Sequence, residues 1–115
     1  MRLIIAGGRD YLLDLDDYDH LWEIHQHYKV TEVVSGACAG ADLCGEEWAK
    51  AHNIPIKRFP AEWEKYDKAA GPIRNRQMAY YADAVALFPG DRGTESMYNA
   101  ALQAGIHIFD FRYVE

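Results

Sequence analysis

Short, unbroken apolar runs recur along this chain and alternate with longer segments whose apolar residues repeat at helical spacing. Strand candidates are 3–6, 32–35, 55–59, 84–88 and 106–111. The first, second and fourth are apolar at consecutive positions, as in strands covered on both faces. Segment 16–28 carries Tyr18, Leu21, Trp22, His25 and Tyr28 on one stripe, and 41–52 carries Ala41, Cys44, Gly45, Trp48 and Ala49. Segment 72–82 opens on Pro72, which suits a first helical position. Segment 94–104 carries Met97, Ala100, Ala101 and Ala104, with Gly105 as its C-cap. Strict β-α alternation predicts parallel strands joined by right-handed crossovers. The expected fold class is α/β, a three-layer, doubly wound domain spanning 1–115, with a five-stranded parallel sheet and helices on both faces.

Composition narrows the function classes. Half of the 115 residues are hydrophobic, which excludes disorder as the main state. The longest apolar runs are far shorter than the about 20 residues a membrane span needs. Glycine follows the first run too soon for a signal-peptide core, so a cytoplasmic protein is expected, with no membrane partner. Twelve basic against eighteen acidic side chains give a net charge of −6, which speaks against a broad basic face and a nucleic-acid partner. Cys38 and Cys44 have no second pair to complete a zinc set and are expected as reduced, buried small hydrophobes. The run Asp14, Asp16, Asp17 and Asp19 lacks calcium-loop spacing and precedes a helix, so it reads as capping. No metal or cofactor is assigned.

Parallel strands bring their C-terminal ends to one edge, and ligands of such folds bind there. Three of the loops at that edge are glycine-rich and hold six of the nine glycines. The first supplies Gly7, Gly8, Arg9 and Asp10. The second supplies Ser35, Gly36, Gly40, Ala41 and Asp42. The last supplies Pro89, Gly90, Arg92, Gly93 and Thr94. Each is followed by a helix, so amide groups and positive dipole ends converge where an anion would sit. Neither G-x-x-x-x-G-K-[ST] nor G-x-G-x-x-G after the first strand is present, which disfavours ordinary kinase, ATPase or dehydrogenase chemistry. Arg9, Arg74, Arg76 and Arg92 offer planar donors suited to phosphate. Asp10 and Asp42 are acceptors, suited to ribose hydroxyls or to capping. Trp63, Tyr66, Tyr80 and Tyr81 read as a base-stacking wall, an oligomer surface or partly buried packing.

Five ordered motifs carry a resemblance: Gly7-Gly8-Arg9-Asp10-Tyr11; Ser35-Gly36-Ala37-x-x-Gly40-Ala41-Asp42 with Trp48-Ala49; Phe59-Pro60-Ala61-x-Trp63; Ala70-Gly71-Pro72-x-Arg74-Asn75-x-x-Met78; and Phe88-Pro89-Gly90-x-x-Gly93-Thr94. Together they resemble the YspA-like group of the SLOG superfamily, found in bacteria and phages. That superfamily includes the Lonely Guy phosphoribohydrolases and the DNA-processing protein DprA, and some of its modules sense signals such as cyclic ADP-ribose. The resemblance implies a Rossmann-like fold, a ligand built from a nucleotide or ribose phosphate, a site that also includes Asn75 and Met78, and a homo-oligomer, dimer or larger. Lonely Guy enzymes carry R-x-x-x-M, matched by Arg74 and Met78, and P-G-G-x-G-T-x-x-E. In the second motif Asp91 replaces a glycine and Met97 stands at the glutamate position. Glu95 comes two residues early, a rotation of about 200° on a helix.

Three functions follow as expectations. The first is a binder of a nucleotide-derived small molecule of ADP-ribose or ribose-phosphate type, acting as sensor or sequestering protein. The second is a hydrolase of a glycosidic or phosphate bond, with Asp10, Asp42 or Glu95 as acid–base or ribose-orienting carboxylate and Arg74 steadying phosphate charge; Arg74, Glu95 and Asp10 are the catalytic candidates. The third, a DNA-associated protein like DprA, is disfavoured by acidity and size.

Overall fold

A computed structural model describes residues 1–113. Five strands, β1 (Arg2–Ala6), β2 (Glu32–Ser35), β3 (Ile56–Arg58), β4 (Ala84–Leu87) and β5 (His107–Asp110), pair in parallel in the order β3-β2-β1-β4-β5. The helices are α1 (Leu15–Tyr28), α2 (Ala41–Ala51), α3 (Trp63–Tyr66), α4 (Ala70–Tyr81) and α5 (Arg92–Ala104), with a 3-10 turn over Asp67–Ala69. The architecture is the α/β Rossmann-like one, as expected.

The continuous apolar runs are explained by burial on both faces. Successive strand residues point to opposite sides. Leu3, Ile5, Val33, Ala84 and Ala86 therefore pack with Leu21 and Ile24 of α1 and Trp48 of α2. Ile4, Ala6, Val34, Val85 and Leu87 pack with Met78 of α4 and Met97 and Ala101 of α5. The chain winds outward from β1 to β3 on one face, then returns to β4 and winds outward on the other. Strand order thus reverses between β1 and β4, and the crevice beyond their C-terminal ends is where such sheets bind ligands.

Element boundaries differ from expectation where caps decide them. α4 opens at Ala70, two residues before Pro72. The first four amides of a helix have no intrahelical acceptor, so a proline in the first turn removes no bond. α5 likewise opens at Arg92. The aspartate run does cap α1: Asp14 accepts from the Asp17 amide at 2.9 Å and Asp17 accepts from the Asp14 amide at 3.0 Å. Among the described residues no group of His, Cys, Asp or Glu is arranged to hold a metal, and no helix is long and apolar enough to cross a membrane.

Candidate functional site

The loops after β1, β2 and β4 meet at a single rim. Gly8 ties them together: its amide donates to the Pro89 carbonyl at 2.9 Å, and its carbonyl accepts from the Ala41 amide at 3.2 Å. Gly40, at φ 75°, lies against the Gly8 and Arg9 carbonyls, where any β-carbon would collide. Gly90 faces the Gly8 backbone so closely that a β-carbon would stand 2.7 Å from its nitrogen. Much of the glycine signal is therefore loop-to-loop packing. The Gly8 and Ala41 amides, expected to point at an anion, are consumed by this seam.

Beneath the rim lies a cavity of about 560 Å³, within the roughly 300–1,000 Å³ range of ligand pockets. The first loop contributes Gly7, Gly8, Arg9, Asp10 and Tyr11, and the second Gly36, Cys38 and Asp42. Arg74, Asn75 and Met78 enter from α4. Pro89, Gly90, Asp91, Gly93, Thr94 and Met97 enter from the last loop and α5.

Five of the site residues proposed from sequence, and the exposed phosphate donor Arg76, fall outside this lining. Ser35 is buried and donates to Glu46 at 2.7 Å, while its oxygen accepts from the Ala37 amide at 3.0 Å, so it shapes the second loop from below. Gly40 and Ala41 serve the seam. Arg92 is exposed. Glu95 is exposed as well and pairs with Arg112 at 2.9 Å; the rotation anticipated from its spacing takes it away from the cavity, and Met97 occupies the inward position.

Other expectations change too. Trp63, Tyr66, Tyr80 and Tyr81 do not line the cavity, so there is no stacking wall; Tyr11 is its aromatic lining residue among the described ones. The Tyr11 hydroxyl donates to Asp17 at 2.6 Å, and that bond, with burial, pushes its pKa well above the ordinary range. Cys38 and Cys44 are free, as expected, but half-buried, and Cys38 sits in the cavity. Cys38 and Tyr11 escaped sequence reasoning because their positions depend on loop paths that composition does not encode.

The polar groups of the cavity fall into two stations. At α5, Asp91 provides no side-chain cap, so the first-turn amides are left open. Thr94 Oγ1 is the one buried side-chain oxygen or nitrogen among the described residues without a hydrogen-bond partner. At α4, the buried Arg74 guanidinium donates from Nη1 to the Gly36 carbonyl at 2.7 Å and from Nε to Asn75 Oδ1 at 2.9 Å. The Cys38 sulfur lies 3.8 Å from Nη1 and 3.9 Å from Nη2, and Asp42 stands across Gly36 from the guanidinium. No carboxylate lies within salt-bridge distance of it among the described residues. Asp42 is also buried, and burial pushes its carboxyl up to about 6, against the pull of the Cys38 amide and the Arg74 charge. Below them Glu46 is fully buried. Burial pushes its carboxyl up, but hydrogen bonds from Arg58 and Ser35 outweigh this and hold it below the usual range.

The family described as YspA, cpYpsA-related SLOG matches residues 1–66, which end at α3. The Gene 61 protein of Mycobacterium phage D29 is 32% identical over 119 residues, covering 96% of this chain and 95% of that protein. That similarity extends through the half carrying Arg74 and α5. No solved structure matches the chain. On the matched motifs, the strand order and this full-length similarity, the chain belongs to the YspA, cpYpsA-related SLOG family.

Proposed function

We propose that this protein binds a nucleotide-derived small molecule, of ADP-ribose or ribose-phosphate type, in the cavity at the C-terminal edge of the sheet, and acts as a sensor or sequestering protein. The observation that carries this reading is Arg74. A guanidinium taken out of water is costly unless compensated. Here it faces a cavity at the strand-order switch point with no carboxylate paired to it. A phosphate or pyrophosphate supplies the missing charge. The open amides of α5 and the unpartnered Thr94 hydroxyl add neutral donors on the same side, a combination suited to a phosphate oxygen.

A second reading, hydrolysis of a glycosidic bond, has one observation in its favour. Burial pushes the Asp42 carboxyl up to about 6, toward the range in which a general acid or base works. Of the other carboxylates considered for that role, Asp10 lines the cavity and Glu95 is held at the surface by Arg112.

Calorimetric titration with ADP-ribose, cyclic ADP-ribose, AMP and NAD tests both readings. At least one is expected to bind and to be recovered intact. Arg74→Met should then weaken binding by tenfold or more, since a charge-assisted hydrogen bond is worth about 1.5–3 kcal/mol. Absence of binding by all four overturns the reading. Release of free base or phosphate would replace it with the hydrolase.

A further inference from the structure

Asp42 is out of keeping with a cavity built for an anion. It stands in the first turn of α2, buried, with its side chain lining the cavity. Oδ2 accepts from the Cys38 amide at a long 3.3 Å. Oδ1 accepts nothing from the described residues. Oδ2 and Arg74 Nη1 each lie 2.8 Å from the point where a Gly36 β-carbon would stand, so the two groups share the space that this glycine leaves open. They make no ion pair. Thr94 Oγ1 being the one fully buried side-chain oxygen or nitrogen without a partner among the described residues, Asp42 Oδ1 is open to the cavity, where water or a ligand donor satisfies it.

We infer that Asp42 selects ligands by accepting from a sugar hydroxyl, so that the cavity takes a ribo sugar and rejects its deoxy counterpart. The inference rests on the nucleotide-type reading of the same cavity and names what that reading leaves open. Its geometric support is the shortness of the path between the two stations. Arg74 adjoins Asp42 over Gly36. Asn75, which accepts from Arg74 Nε at 2.9 Å, reaches the Gly93 carbonyl at 3.5 Å and Ser96 at 3.1 Å in α5. Asp42 thus stands beside the guanidinium that takes the phosphate, in the same cavity. The group arriving at Asp42 is then the sugar next to the phosphate, and its outward donors are hydroxyls.

The protonation state follows. The charged and titratable groups facing Asp42 are Arg74 from α4, Arg9 from the first loop, Glu46 from its own helix and Cys38 from the second loop. The ionised carboxylate accepts a hydroxyl proton on either oxygen, whereas the neutral acid presents a competing donor. Affinity therefore rises as the pH passes upward through about 6, where Asp42 loses its proton, and levels off above. ADP-ribose is the probe for this profile, because its pyrophosphate has no group titrating there.

Two probe pairs test the inference: ADP-ribose against its 2′-deoxy and 3′-deoxy forms on the nucleotide's ribose, and ribose 5-phosphate against 2-deoxyribose 5-phosphate. The wild-type protein should prefer the ribo form over at least one deoxy form by about tenfold or more, the worth of a hydrogen bond to a charged group. Asp42→Asn should shrink that preference to within about threefold, since the charged acceptor is lost, and flatten the pH profile. Ribo and deoxy probes binding alike, or a preference that Asp42→Asn leaves intact, overturns the inference while leaving the nucleotide reading standing. If no probe binds, both fall together.

Discussion

Gly93 has no structural reason to be glycine. It occupies the second position of α5, its φ is not in the left-handed region, and a β-carbon there would meet nothing within 4 Å. Glycine inside a helix costs about 0.5–1 kcal/mol relative to alanine, and the fold does not return that cost. The space beside it is the cavity. Gly93→Ala should therefore raise the stability of the unliganded protein, by about 0.5 kcal/mol or more in urea unfolding, and weaken ADP-ribose binding. Opposite signs are the diagnostic; unchanged affinity would return Gly93 to the solvent. Gly90 is different, because a side chain there meets the Gly8 backbone and Thr94; a substitution would damage the rim itself. At this scale the sequence was only partly legible. It marked Arg74, Asp42 and the last-loop glycines as candidates, since residue type advertises chemistry. It could not tell Gly93, open to the cavity, from Gly40, packed on another loop, because that difference lies in contacts between remote segments. Nor could it send Glu95 to Arg112, seventeen residues away.

Among the elements, α1 shows local rules at work. Its capping box is written in the spacing of Asp14 and Asp17, and Asp17 accepts from Tyr11 as well. Asp14→Ala should destabilise the protein by about 1 kcal/mol, read as a lower melting temperature, with the cavity unaltered because α1 contributes no lining residue. A loss of ligand affinity in that variant would show that the first loop depends on α1 for its shape. Strands β1, β2 and β4 were legible because burial on both faces leaves no room for polar residues. β3 and β5 sit at the sheet edges, with mixed exposure and shorter extents than their apolar flanks imply. The short α3 and the 3-10 turn carry no buried residue, so no periodic apolar stripe announced them.

For the whole molecule, Asp42 imposes a cost that depends on pH. Burial raises its pKa from the ordinary 3.8 to about 6 on folding. The folded state then holds this proton more tightly than the unfolded chain. The Asp42 contribution is most favourable below the unfolded value, declines as the pH rises toward about 6, and is flat above. Holding the carboxylate ionised in the folded state therefore costs about 3 kcal/mol at most. Asp42→Asn should accordingly stabilise the unliganded protein at pH 7.5 by up to about that amount, with little gain at pH 4. Chemical unfolding at the two pH values checks it; equal effects at both would mean that the carboxylate is not strained by burial.

The seam at Gly8 has a mechanical consequence. One lobe of the sheet, with the first two loops, comes from the front of the chain; Arg74, Asn75 and α5 come from the back. The lobes join through the β1–β4 ladder, the backbone bridge from Gly8 to Pro89, the Arg74 bond to the Gly36 carbonyl and the packing of α4 and α5 on the sheet. A ligand bound as proposed, gripped from both sides, would work as a rivet across that joint. On the proposed function, occupancy would then alter the stiffness of the molecule more than its outline.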